Sequence, residues 1–273
     1  MNPTNPYDRP VELPVLYSVR GWSQQVNPAY LDFVDETRTT GADVVDIHVP
    51  SMGFRDLGEW AHAVVEVIIS HHRDDRPVHL MGYCLGGLLI VVVLAELERR
   101  GIRPAYVAMI DAREYTKLDR LRRGLDARYQ VPRPMRLRGL LVRLTPPDRE
   151  TLGSVVVSVL RRLIRSVTEI PDRGWRGRRR RNPAVFTELR LGFSWELDAI
   201  STPVHLYNTQ DSIDLYAPGD PSLNIGPFLQ GGFVVRMIEG IHDKCIEPPH
   251  SAALIERINA DRTAVVQGVG AFQ

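Results

Sequence analysis

The stretch VHLMGYCLGGLLIVVVLAELERRG, residues 78–101, contains the clearest indication of the fold. It begins as a short apolar strand, turns at a glycine-rich corner and continues as a long apolar helix that ends at Gly101. Cys84 stands at the corner, between Gly82 and Gly86. A strand, a tight turn and a helix in this order indicate one unit of a parallel sheet.

The corner has the pattern of a nucleophile elbow, with cysteine in the place of serine. We expect Cys84 at a positive φ, which costs about 1–3 kcal/mol, and small residues at 82 and 86 because strand and helix approach closely there. The N-terminus of the helix favours a thiolate, and the N–H of Leu85 supplies one half of an oxyanion hole. The structural alternative is an unreactive buried cysteine at the same turn.

The strand–helix rhythm continues on both sides of this unit. The pattern predicts strands over 13–21, 42–50, 76–84 and 105–111, with helices over 28–41, 56–73 and 85–100. Further along, it predicts strands over 202–211 and 231–240 and a closing helix over 249–261. Such alternation is typical of an α/β fold with a mostly parallel central sheet and helices on both faces.

The rhythm breaks between residues 113 and 197, where apolar helical segments alternate with proline-rich joints. An all-helical insertion in a parallel sheet is how a lid is built. We therefore divide the chain into a first core part with an N-terminal arm (1–112), a helical basic lid (113–197) and a second core part (198–273).

Charge is distributed unevenly along the 273 residues, although the net charge is only +1. Residues 113–196 contain 21 basic and 9 acidic side chains, a net charge of +12, and the remainder contains 13 and 24, a net charge of −11. This asymmetry predicts that the insertion faces an anionic partner; solvated arginine-rich helices are the alternative. The densest basic run comprises Arg176, Arg178, Arg179, Arg180 and Arg181.

Several classes of protein are disfavoured by the composition. Two cysteines cannot form a disulfide framework, the polar, proline-rich start lacks the features of a secretion signal, and the longest apolar run is far short of the ~20 residues of a membrane span. We expect a soluble, cytoplasmic protein with no bound metal, no cofactor of its own and no nucleic-acid partner.

The segment HLMGYCLGGLLIVVVLAELERRGIRPAYVAMIDARE resembles the thioesterase family of the α/β-hydrolase fold, whose members act on acyl chains held on carrier proteins of polyketide and nonribosomal peptide assembly lines. The resemblance extends weakly over residues 13–260. With cysteine at the elbow, the chain is similar to the free-standing acyltransferases that move acyl groups between carrier proteins and to some cysteine thioesterases.

The resemblance implies a triad in the chain order nucleophile, acid, histidine. His242, in a G-x-H loop after the last predicted strand, is the expected base, with His250 as the nearest competitor. Two acids remain open. Asp111 follows the strand after the elbow helix, as in many assembly-line thioesterases, and we favour it over Asp211, which matches the position that most other α/β-hydrolases use.

The second oxyanion donor is expected in the loop after the first strand, YSVRGWSQ. Gly21, Trp22 and Ser23 are the candidates, and Trp22 is preferred. The family carries a more glycine-rich loop here, and Trp22 has a second interpretation as part of the acyl pocket.

A thiolate attacks a thioester more readily than a hydroxyl does, and the acyl-cysteine is itself a thioester, so transfer to another thiol is close to energetic balance. We expect a carrier-protein-dependent acyltransferase or thioesterase with a covalent acyl-cysteine, whose acidic carrier and phosphopantetheine phosphate meet the basic lid. A small-molecule ester or dienelactone-type hydrolase and a non-catalytic acyl-binding relative are the rival hypotheses.

Overall fold

The computed structural model describes residues 13–21, 27–51, 53–72, 76–113 and 197–268. Within these ranges the strands are β1 (Leu16–Val19), β2 (Val44–Ile47), β3 (His79–Tyr83), β4 (Tyr106–Ile110), β5 (Val204–Thr209) and β6 (Phe233–Ile238). The α-helices are α1 (Pro28–Thr39), α2 (Leu57–His71), α3 (Leu85–Arg99), α4 (Gln210–Tyr216) and α5 (His250–Val266). One turn of 3₁₀-helix covers Gly226–Phe228.

The six strands form one sheet in the order β2-β1-β3-β4-β5-β6, and all five neighbouring pairs are parallel. This confirms the predicted fold class. The sheet grows in opposite directions from β1, because β2 lies on one side of it and β3 on the other. Ligands of open α/β sheets bind at such a switch point, outside the carboxyl ends of the strands.

Two apolar layers cover the sheet. Alternate residues of β4 show the division, since Val107 and Met109 pack in the layer beneath α2 and α3, whereas Tyr106 and Ile110 pack in the layer beneath α1 and α5. Strands buried on both faces explain the continuous apolar runs in the sequence. Helix α3 lies in the middle of the first layer, and nearly all of its side chains are buried. The elbow is therefore anchored at the centre of the core.

Helix α2 begins where the sequence predicts, because the Asp56 carboxylate accepts a hydrogen bond of 2.9 Å from the N–H of Glu59. The strand predicted over 202–211 is wrong at its end. It stops at Thr209, whose hydroxyl accepts a bond from the N–H of Ser212 and so starts helix α4. Asp211 consequently lies on a helix and not at the end of a strand.

The predicted lid lies outside the described residues, apart from its two ends at 113 and 197. The chain enters it after β4 and leaves it before β5, the neighbour of β4 in the sheet. The division into three parts therefore stays a prediction. Across the described ranges, every helix is too short or too polar to cross a bilayer.

Candidate active site

Cys84 occupies the turn between β3 and α3 with φ 55° and ψ −117°. The positive φ confirms the strained corner that the sequence predicts. The strain is held by the sheet, since the Cys84 N–H donates to the carbonyl oxygen of Ile110 at 2.9 Å. The turn places Cys84 at the N-cap of α3, where the helix dipole favours negative charge on sulfur.

The glycines beside the cysteine are required by close backbone contacts. A Cβ on Gly86 would lie 2.4 Å from the carbonyl oxygen of Val19, and one on Gly21 would lie 2.1 Å from the nitrogen of Gly86. A Cβ on Gly82 would lie 2.7 Å from the carbonyl carbon of Gly86. The end of β1 is thus packed directly against the first turn of α3, so the loop after β1 begins beside the elbow.

His242 and Asp111 come together at the same edge of the sheet. The Nδ1 of His242 lies 2.7 Å from Oδ2 of Asp111. Asp111 follows β4 with φ 47°, and His242 lies in the loop after β6. Both side chains are buried, with exposures of 5% for His242 and 0% for Asp111. Water therefore screens their interaction very little.

Three further donors hold the Asp111 carboxylate. Oδ1 accepts from the Thr209 N–H at 3.0 Å, and Oδ2 accepts from the hydroxyls of Thr209 at 3.1 Å and Ser212 at 2.6 Å. Burial raises the pKa of the carboxyl, but the hydrogen bond and charge of His242 and the bonds from Ser212 and Thr209 outweigh burial and hold the pKa below its usual value. Asp111 is therefore a fixed negative charge.

The environment of His242 favours its protonated form. Burial lowers its pKa, but the negative charge of Cys84, the hydrogen bond to Asp111 and a side-chain hydrogen bond with Cys84 together raise the pKa to about 9. The positive charge of Arg113 acts in the opposite direction. Since Asp111 occupies Nδ1, the other ring nitrogen is the one available to sulfur. The arrangement supports a thiolate–imidazolium pair.

The second cysteine lies close to the site but in a different setting. Cys245 is 0% exposed, and its thiol donates to the carbonyl oxygen of His242 at 3.5 Å. Burial raises the pKa of this thiol strongly, and the negative charges of Asp111 and Cys84 raise it further. Cys245 is therefore held as a neutral thiol.

Comparison with known proteins identifies the family. The model of the thioesterase domain family matches residues 29–261, which include the elbow, Asp111 and His242. The chain belongs to the thioesterase family. The nonribosomal peptide synthetase agiA of Aspergillus flavus is 36% identical over 78 residues, which is 27% of this thioesterase chain and 1% of that synthetase. The chain thus spans a very small part of that relative.

Solved structures share the fold of this thioesterase at low sequence identity. The thioesterase domain of NocB, in covalent complex with a fluorophosphonate nocardicin G analogue, is 17% identical with a TM-score of 0.56, over 93% of this chain and 95% of that one. RedJ, the thioesterase of the prodiginine pathway in Streptomyces coelicolor, is 18% identical with a TM-score of 0.56, over 90% and 85%. BorB, a type II thioesterase of the borrelidin cluster, is 16% identical with a TM-score of 0.54, over 93% and 94%.

The remaining predicted residues lie around the elbow, on α4 and α5, or outside the described residues. Leu85 is the first residue of α3, directly after Cys84. Asp211, the alternative acid, is partly exposed on α4. His250, the alternative base, begins α5, with Nδ1 3.7 Å from a carboxylate oxygen of Glu239. Trp22, Ser23 and the five arginines between residues 176 and 181 lie outside the described residues.

Sequence reasoning missed three residues that support the site. Thr209 and Ser212 fix the Asp111 carboxylate, and Tyr83 contacts His242. Threonine is a preferred N-cap residue, so the sequence contained a signal for a helix that starts at Thr209, but none for the bonds of Thr209 and Ser212 to Asp111. The role of Tyr83 depends on its contact with the His242 loop, which lies 159 residues further along the chain, and no local sequence pattern encodes such a contact.

Proposed function

We propose that this member of the thioesterase family accepts an acyl group on Cys84 from the phosphopantetheine thiol of a carrier protein and passes it to an acceptor thiol, amine or hydroxyl, or to water. One observation carries the proposal. A cysteine at a strained elbow interacts with a buried histidine that is bonded in turn to a buried carboxylate. Nucleophile, base and orienting acid in this arrangement are the parts of covalent acyl transfer.

In the first half-reaction the Cys84 thiolate attacks the carbonyl carbon of the carrier thioester. A carbon–sulfur bond forms, and the carbonyl oxygen becomes an oxyanion. Collapse of this intermediate breaks the bond to the carrier sulfur, and the imidazolium of His242 gives its proton to the departing thiolate. The products are acyl-Cys84, the free carrier thiol and a neutral imidazole. Asp111 stays ionised and holds the ring in place.

In the second half-reaction the neutral His242 acts as the base. It takes a proton from the acceptor, which attacks the acyl-Cys84 carbonyl, and the Cys84 thiolate leaves. The imidazolium and the thiolate are then restored together. Because acyl-Cys84 is a thioester, transfer to a second thiol is close to balanced, whereas a serine ester would be more stable and would favour simple release.

The oxyanion of both half-reactions needs hydrogen-bond donors. The N–H of Leu85 is suited to this role because a residue in the first turn of a helix has no carbonyl partner one turn earlier. Trp22 is proposed as the second donor, since Gly21 begins its loop against the first turn of α3. A neutral amide in each position would stabilise the developing charge without taking part in proton transfer.

A carrier protein is the proposed partner. The matched synthetase segment and the RedJ and BorB thioesterases come from biosynthetic systems by their names, and the charge of +12 over residues 113–196 suits an acidic carrier and a phosphate. Arg176, Arg178, Arg179, Arg180 and Arg181 are proposed to bind them. We propose a role in natural-product biosynthesis on these grounds.

The experiment follows a labelled acyl group from a loaded carrier protein in the presence of a second, unloaded carrier. We expect label on the protein and then on the second carrier, or in the free acid if water is the acceptor, and we expect neither with Cys84→Ala. Turnover of free esters without label on the protein would support a small-molecule ester hydrolase instead. Binding without label or turnover would support a non-catalytic relative, and either result would overturn the proposal.

A further inference from the structure

A column of three aromatic rings connects helix α1 to the catalytic loop through the elbow. The rings of Tyr30 and Tyr83 are stacked with centroids 6.0 Å apart and planes at 20°. The rings of Tyr83 and His242 are stacked with centroids 5.2 Å apart and planes at 25°. The Tyr83 hydroxyl also donates to the backbone carbonyl oxygen of His242 at 2.5 Å. Tyr83 therefore contacts both the imidazole and the backbone of the same residue.

We propose that Tyr83 is the positioning residue of His242: it sets the plane of the imidazole so that one nitrogen points at Asp111 while the other points at Cys84. This inference deepens the proposed function and rests on the role given there to Cys84 and His242. The hydrogen bonds of His242 to Asp111 and to Cys84 fix the two nitrogens of the ring. They leave the ring free to rotate about the line that joins these two bonds, and a stacked neighbour removes this freedom.

The location of Tyr83 explains how it reaches the loop. It is the residue between Gly82 and Cys84, and successive side chains of β3 alternate between the two faces of the sheet. Its ring lies in the apolar layer beneath α1 and α5, together with Cys245 from the loop that carries His242. The residue before the nucleophile is thus placed to fix the base.

The far end of the column is anchored to the sheet. The Tyr30 hydroxyl lies 2.9 Å from Oγ of Ser18 on β1, and both side chains are buried. Tyr30 in turn packs against Phe33 of the same helix, with ring centroids 6.3 Å apart. The ring of Tyr83 therefore stacks both on the imidazole and on a tyrosine ring that is itself anchored to the sheet.

The Tyr83 side chain can keep its hydrogen bond to His242 at all times and can also interact with the protonated imidazole. Burial raises the pKa of Tyr83 well above its usual value, and the negative charge of Cys84 raises it further. The hydroxyl therefore remains protonated and can donate to the carbonyl of His242 at any working pH. The face of its ring also attracts a protonated imidazole, which favours the charged form of His242.

The test measures the rate of alkylation of Cys84 by iodoacetamide between pH 5 and 9, on folded protein verified by circular dichroism. Tyr83→Phe removes only the hydrogen bond, and Tyr83→Leu removes the stacked ring as well. The matched controls are Tyr106→Phe and Tyr106→Leu. Tyr106 is a buried tyrosine in the same apolar layer, it is the first residue of β4, and its hydroxyl is hydrogen-bonded to that of Tyr207. His242→Ala is measured in parallel.

We expect the rate near pH 6.5 to fall by about threefold in Tyr83→Phe, the scale of one hydrogen bond, and by about tenfold in Tyr83→Leu, the scale of one aromatic pair. The rise of the rate with pH should move to higher pH in the same order, and both Tyr106 variants should follow the wild type. Tyr83 variants that stay within twofold of the wild type at every pH would overturn the inference. If the leucine variant does not fold, Tyr83→Phe alone decides in the same way.

The His242→Ala arm separates this inference from the proposed function. A profile that His242→Ala leaves unchanged would contradict the thiolate–imidazolium pair itself, and the role of Tyr83 would fall with it. A profile that His242→Ala shifts and the Tyr83 variants do not would overturn only the positioning role.

Discussion

The Nδ1 of His242 lies 2.7 Å from Oδ2 of Asp111, although the two residues are 131 positions apart in the sequence. The sheet brings them together, because β4 and β6 are separated only by β5 and their carboxyl ends lie at one edge. The pair is completed by the buried donors Thr209 and Ser212 on one side and by Cys84 on the other. Each of these contacts leads to a measurable consequence.

Asp111 and Asp211 can be distinguished by isosteric replacement. Asp111→Asn removes the charge that holds the imidazolium, and we expect kcat to fall by about 10³-fold or more, since an amide orients the wrong tautomer. Asp211→Asn is the matched control, and we expect it to change kcat by less than about threefold. Steady-state kinetics with an acyl-carrier substrate measures both. The reverse ranking would assign the acid to Asp211.

The raised pKa of His242 depends on the charge of Cys84. Cys84→Ala removes that charge while the desolvation of the ring remains, so we expect the pKa of His242 to drop below about 9. An NMR titration of the histidine ring protons measures the shift, with Cys245→Ala as the control. If the two variants titrate alike at His242, sulfur at the elbow does not interact with the imidazole.

Arg113 has the opposite effect on the same ring. Its guanidinium lies over the ring of Tyr216, 3.6 Å from the centroid, and its charge lowers the pKa of His242. Arg113→Met should therefore raise that pKa above its wild-type value in the same titration. Arg55→Met, at an exposed arginine that pairs with Glu59, serves as the control. A decrease in Arg113→Met would show that the arginine acts on His242 by something other than its charge.

The tight backbone contact at the elbow predicts a stability cost for one methyl group. Gly86→Ala places a Cβ 2.4 Å from the carbonyl oxygen of Val19, and we expect the free energy of unfolding to fall by about 1–3 kcal/mol. Gly101→Asn is the control, because nothing lies within 4 Å of a Cβ at Gly101 and asparagine tolerates its left-handed φ of 76° better than other side chains do. Urea denaturation of both variants and of the wild type measures the change. If Gly86→Ala unfolds with the same free energy as the wild type, β1 and α3 can move apart at no cost.

Much of the fold could be predicted because each unit of it carries a local signal. The apolar strand, the glycines and the long helix around Cys84 indicate the elbow on their own, and strict strand–helix alternation indicates a parallel sheet. The predicted strand over 202–211 runs two residues past the end of β5 at Thr209, because only the cap between Thr209 and Ser212 shows that a helix begins there.

The site could be predicted only as a set of candidates. Chain order and family resemblance make Cys84, His242, Asp111 and Asp211 the candidate triad residues. The sequence favours Asp111 but does not decide between the two acids, because the choice depends on which of them lies beside the histidine loop. The contacts of Tyr83 and Ser212 were missed for the same reason. They join elements that are distant in sequence and become neighbours only through the order of the strands.

The most direct test of the central claim is a rapid-quench mass measurement of the intact protein with an acyl-loaded carrier, followed by peptide mapping. We expect a transient mass increase equal to one acyl group, located on the peptide with Cys84, cleaved by added thiol and absent from Cys84→Ala. Cys245→Ala should form the adduct as the wild type does. Turnover without an adduct, or an acyl group on a residue other than Cys84, would contradict the claim.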